Sequence, residues 1–183
     1  KNILKINLFI MKIPYGSHYL DNKDIKSVIL ALNKKAITQG PLINKFEKKI
    51  CNLLKVKYAV AVSSCTAGLH IALKSFDNDK NKNTVLTSPV SFVSTSNVII
   101  HDNLKPKFID ISKDTLNIDP NKLEKEINFN KKIKAVIPVH LGGYSGESQK
   151  IYDLCKKKNI PVIEDAAHSF GAKYDHKNYV GSC

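Results

Sequence analysis

Two neighbouring carboxylates, Glu164 and Asp165, close an apolar run in the stretch VIEDAAHSFGAKY (residues 162–174). In an open α/β sheet, ligands bind at the carboxyl ends of the strands, so both side chains stand where a bound cofactor would be and could hold a cationic group. For Asp165 the chemistry is specific. A carboxylate set against a pyridinium nitrogen keeps that nitrogen protonated and lets the ring accept electrons from a carbanion. The same residue could instead cap the turn that follows, and on its own it supports either use.

Three further segments place reactive or small residues at strand ends. In SSCTAGLH (63–70) an apolar run passes straight into a helix. The unpaired N–H groups of a first helical turn, with the dipole behind them, favour an anion, so Thr66, Ala67 and Gly68 can cradle a phosphate. Ser64 or Thr66 can equally serve as a plain N-cap. In SPVSFVSTSN (88–97), Phe92 at the strand–helix junction either stacks on a flat ring or packs into the core. In PVHLGGYSGE (138–147), His140 and two glycines mark another strand end, where small residues permit close backbone approach. Each signal is weak alone; their order and common location are not.

The elements that must position these residues follow from apolar periodicity. Helices are expected over 20–36, with Asp21 or Asn22 as N-cap and lysines in the last turn, and over 43–55, with Ile43, Phe46, Ile50 and Leu53 on one face. A buried strand is expected at 58–64 and a helix at 66–76. Strands at 84–89, 105–111, 134–140 and 160–165 then alternate with helices at 92–100, 120–127 and 147–159. Repeated strand–helix units with continuous apolar strands imply an α/β fold, a mostly parallel sheet with helices on both faces. Residues 171–183 read as a hairpin around Asp175–Asn178.

The chain's 183 residues and 43% hydrophobic content suffice for one sizeable core, and no apolar run is long enough to span a bilayer. The net charge of +13 comes from 29 basic residues that are all lysine. The absence of arginine removes the usual bidentate phosphate and guanine contacts, and the lysines are dispersed, so the composition argues against nucleic acid as a partner. Cys51, Cys65, Cys155 and Cys183 form no C-x-x-C pair and no metal-binding spacing, which points to a reduced, cytoplasmic chain without a metal. The only methionine is Met11, and no small-residue cleavage site follows KNILKINLFI. We therefore expect residues 1–10 to be a non-native or upstream extension, 11–56 an N-terminal helical arm and 57–183 an incomplete cofactor-binding domain.

In order along the chain, ITQGP, VSSCTAGLHIAL, SPVSFVSTSNVI, PVHLGG and IEDAAHSFGA closely resemble the DegT/DnrJ/EryC1/StrS sugar aminotransferases, a pyridoxal 5′-phosphate-dependent family of fold-type I. The resemblance runs from about Met11 to the end. It implies the large domain of that fold, cut before a C-terminal domain. It also implies Thr66 and Ala67 as phosphate ligands, Phe92 as the ring-stacking aromatic, Asp165 as partner of the ring nitrogen and His168 beside the ring oxygen. Tyr15 and Gln39, in the arm, are expected near the nucleotide-sugar pocket. Within the family, the arm and the PVHLGGYSGE region look most like members of the pseudaminic acid type.

The activity this implies is transfer of an amino group from glutamate to C4 of a UDP-linked 4-keto-6-deoxy sugar by a cytoplasmic homodimer, with no membrane or nucleic-acid partner. The family's Schiff-base lysine lies in a segment expected beyond Cys183. Lys173 and Lys177 precede it and are not assigned that role, so the 183 residues alone are expected to be inactive. Two other readings are a sugar dehydratase of the same fold, with histidine in place of the lysine, and a non-catalytic remnant.

Overall fold

The computed structural model describes residues 16–34, 36–76, 79–176 and 178–182. Strands β1 (Thr84–Thr87), β2 (Lys105–Phe108) and β3 (Ile133–Ile137) form a parallel sheet in the order β2-β1-β3. Beyond β3 the segment 160–165 continues the sheet through two parallel bridges, Val136↔Val162 and Val139↔Asp165. The expected strand is reduced to bridges because Pro138, between the two, has no N–H to give to the Ile163 carbonyl, and Pro161 has none to extend the ladder backwards. The same deficit ends β3 at Ile137, before Pro138. Pro106 is tolerated within β2 because β2 is the edge strand.

Helices cover both faces, as the sequence implies. Side chains alternate across the strands, except that an irregularity in β3 between Ile133 and Ala135 sends these two to opposite faces. Val85, Ala135 and Ile137 pack on one face with Leu69 and Leu73 of α3 (Cys65–Lys74) and Val98 and Ile99 of α4 (Val93–His101). Leu86, Ile133 and Val136 pack on the other with Leu123 and Ile127 of α5 (Pro120–Phe129) and Ile151 and Cys155 of α6 (Ser148–Lys157). Full burial of each Leu, Ile or Val side chain contributes about 1.5–3 kcal/mol, which is why continuous apolar runs end in the centre of the sheet. At the start of α5, Pro120 has a preset φ and the Asp119 carboxylate accepts from the N–H groups of Asn121 and Lys122 at 2.8 and 3.3 Å.

The chain divides into two compact units, one reaching Asn44 and one starting at Lys45, with the break inside α2 (Pro41–Leu54). In the first, α1 (Asn22–Leu32) opens on a capping box. Asp21 Oδ1 accepts from Lys23 and Asp24 N–H, and Asp24 Oδ2 accepts from Asp21 N–H. The helix stops before the lysines expected in its last turn.

The strand expected at 58–64 is absent. Tyr58 and Val60 are 73% and 77% exposed, and among the described residues no strand pairs with this segment. An apolar alternation specifies a strand only when a neighbour accepts its ladder. Here the Ala61 N–H donates instead to Glu47 Oε1 at 2.8 Å.

Candidate functional site

Asp165 is the point at which the openings of α3 and α4 meet the segment that continues the sheet beyond β3. It is 5% exposed, and its backbone is fixed on both sides of the Val139 bridge: its N–H donates to the Pro138 carbonyl at 2.9 Å and its carbonyl accepts from His140 N–H at 3.0 Å. Its Oδ2 accepts a 2.6 Å bond from the hydroxyl of Thr95, a fully buried residue in the first turn of α4. Oδ1 faces the Cys65 thiol, at the start of α3, at 3.9 Å, and the Ala167 N–H at 3.4 Å. Hydroxyl and N–H donors suit an ionised carboxylate. Burial, then the Asp165 charge and the thiol–carboxylate bond, push the Cys65 thiol above its ordinary range, so the sulfur keeps its proton and acts as a donor.

At α3 the cap reading is realised. Ser64 Oγ accepts the Ala67 N–H at 3.1 Å and the Ser64 carbonyl accepts the Gly68 N–H at 3.0 Å. Thr66 is exposed in the same first turn, so the cap shapes an N-terminus that still presents a hydroxyl and a positive dipole end. Phe92 does not pack in the core: it is 71% exposed, with its carbonyl accepting the Thr95 N–H at 3.1 Å. That backbone bond ties the exposed ring to the helical turn carrying the hydroxyl on Asp165.

The loop after β3 explains its glycines. Gly143 has φ +86°, and a Cβ there would stand 3.0 Å from the His168 carbonyl oxygen. Only glycine allows the two segments to approach this closely. Asn117, buried and without any sequence signal, fastens the same loop: its Oδ1 accepts from Leu141 N–H at 3.2 Å and its Nδ2 donates to the Tyr144 carbonyl at 2.9 Å. His168 itself is exposed in the turn after Asp165.

The acidic pair is split. Glu164 does not share the Asp165 cluster. Its Oε2 lies 2.8 Å from His140 Nε2 and 3.2 Å from the Gly181 N–H, and it accepts the Tyr174 hydroxyl. Lys173 sits in the predicted hairpin, bridged to Tyr179 with its Nζ 4.9 Å from the centre of that ring. Gln39 belongs to the unit ending at Asn44, at φ +52°. Tyr15 and Lys177 lie outside the described residues. Sequence reasoning missed Thr95 and Cys65 as partners of Asp165. Thr95 stands three residues after Phe92, a helical spacing that puts both in one turn, and this was the available signal.

The model of the DegT/DnrJ/EryC1/StrS aminotransferase family matches residues 18–183. A UDP-4-amino-4,6-dideoxy-N-acetyl-beta-L-altrosamine transaminase from Campylobacter jejuni is 39% identical over 171 residues, 93% of this chain and 44% of its own length. The structure of Helicobacter pylori PseC, an aminotransferase involved in the biosynthesis of pseudoaminic acid, matches with a TM-score of 0.85 at 34% identity, covering 91% of this chain and 44% of that one. A GDP-4-keto-6-deoxymannose-3-dehydratase with a trapped PLP-glutamate geminal diamine matches with a TM-score of 0.81 at 26% identity, covering 91% and 44%. The chain therefore spans less than half the length of these relatives.

Proposed function

The chain belongs to the DegT/DnrJ/EryC1/StrS aminotransferase family, and from that premise we propose that it holds pyridoxal 5′-phosphate and serves the transfer of an amino group from glutamate to C4 of a UDP-linked 4-keto-6-deoxy sugar. The observation that carries this reading is the buried Asp165 carboxylate held by Thr95 and Cys65 from the openings of two helices.

The donor set fits the cofactor. Thr95 occupies Oδ2 with a short bond, and Oδ1 has, among the described residues, a thiol at 3.9 Å and an N–H at 3.4 Å, so Oδ1 would be the oxygen available to a protonated ring nitrogen. Thr66 and the first turn of α3 supply a hydroxyl and a dipole end for the phosphate. Phe92 offers an exposed flat ring for stacking, and His168 a polar group one turn from Asp165. When bound, pyridoxal phosphate supplies the electron sink and carries the amino group. The protein's part is to keep the ring nitrogen protonated through Asp165 and to hold phosphate and ring in one orientation.

The match to a 4-keto-6-deoxy sugar dehydratase over the same region keeps a second outcome in the test. The protein, expressed together with whatever sequence its gene encodes after Cys183, is incubated with ¹⁵N-glutamate, pyridoxal phosphate and a UDP-linked 4-keto-6-deoxy sugar. We expect ¹⁵N in the sugar and release of 2-oxoglutarate. A sugar that loses a hydroxyl and gains no nitrogen identifies the dehydratase; an unchanged sugar contradicts both readings.

A further inference from the structure

The residue beside Asp165 is spent on a buried network that the reading above does not use. The side chains of Glu164 and His140 are 6% and 2% exposed, and Oε2 of Glu164 gathers His140 Nε2 at 2.8 Å, the Gly181 N–H at 3.2 Å and the Tyr174 hydroxyl. Gly181 can only donate. Burial, then the bond to Glu164, hold the Tyr174 proton well above the ordinary tyrosine range, so its hydroxyl also donates to Glu164. With Glu164 as a carboxylate, the His140 contact is made by a hydrogen on Nε2. Tyr152 donates onto the Tyr174 oxygen at 3.0 Å, and Ser169 Oγ donates to the His140 carbonyl at 3.2 Å.

Successive side chains of an extended segment point to opposite faces, so Glu164 and its partners lie across the backbone from the Asp165 carboxylate and share none of its contacts with Thr95 and Cys65. Segment 160–165 has two isolated bridges and no continuous ladder, so at residue 165 the backbone is tied to the sheet by the two bonds of one bridge, and the Glu164 contacts add to them from the neighbouring residue. One of those bridges is Val139↔Asp165, whose two hydrogen bonds include His140 N–H to the Asp165 carbonyl, and His140 and Glu164 clasp each other beside it. Tyr174 and Gly181 add the hairpin 172–181 to the clasp.

We propose that Glu164, His140 and Tyr174 are positioning residues that aim the Asp165 carboxylate at the cofactor's ring nitrogen by locking the strand end from its other face. The proposal rests on the reading of Asp165 given above.

The test loads the protein with pyridoxal phosphate labelled with ¹⁵N in the ring and reads the ring-nitrogen chemical shift, which reports its protonation, together with the cofactor dissociation constant. Tyr174→Phe decides the matter, because it keeps the ring and removes one hydroxyl; Glu164→Gln is the second variant and circular dichroism checks the fold of both. We expect the fold retained, the ¹⁵N resonance moved toward the unprotonated position, and cofactor affinity weakened about tenfold, the lower end of what losing a partner behind a site ligand costs. A wild-type shift and affinity in folded Tyr174→Phe would overturn the proposal, as would a variant whose loss of cofactor is matched by global unfolding. Asp165→Asn separates the two claims: if it leaves the ¹⁵N shift unchanged, the reading of Asp165 itself fails.

Discussion

A buried carboxylate is costly unless its oxygens are satisfied, and among the described residues Asp165 meets that cost with hydrogen-bond donors and not with an ion pair. A hydroxyl occupies one oxygen, and a thiol and an N–H approach the other at longer range. This arrangement gives Cys65 a measurable signature. Partial burial, the negative charge of Asp165 and the bond to it all oppose loss of the thiol proton, so the thiolate forms at higher pH than that of an ordinary cysteine. Site-resolved alkylation by iodoacetamide should therefore remain slow at Cys65 through pH 9. Asp165→Asn removes two of the three causes and leaves the burial, so the pH–rate profile should move to lower pH. An unmoved profile would show that thiol and carboxylate are not coupled. The motif IEDAAH disclosed that an acid stands at a strand end; it could not disclose that Glu164 and Asp165 part company, because that depends on which partners the fold brings to each face.

At the level of elements, helices were read from the sequence more faithfully than strands, and the reason is local. Caps such as Asp21, Ser64 and Asp119 lie within three residues of the N–H groups they satisfy, so the signal and the structure are adjacent in the chain. Strand limits depend on neighbours. Pro138 both ends β3 and interrupts its pairing with 160–165, and 58–64 finds no partner among the described residues. The loop after β3 combines both kinds of information: its glycines were visible, but the Asn117 that fastens it was not. Gly146 has φ +58°, and a Cβ there would stand 2.7 Å from Asn117 Nδ2. Gly146→Ala should thus lose more than the roughly 1 kcal/mol that separates compatible from incompatible glycine sites, read as a lowered denaturation midpoint with an unchanged slope. A midpoint equal to wild type would show that the loop yields freely around Asn117.

For the whole molecule, the order of motifs carried more than any one of them. The +13 charge is dispersed over lysines, some of which are engaged locally, as in Lys74 with Asp102 at 2.6 Å and Lys107 with Glu126 at 2.7 Å. What unites distant parts of the chain is the sheet edge, where residues 65, 95 and 165 come together across as many as 100 positions of sequence. The direct test is a crystal structure of the protein soaked with pyridoxal 5′-phosphate. The account predicts the ring nitrogen against Asp165 Oδ1, the phosphate at Thr66 and the first turn of α3, and Phe92 over the ring. Cofactor bound away from Asp165, or with its phosphate elsewhere than α3, would contradict it.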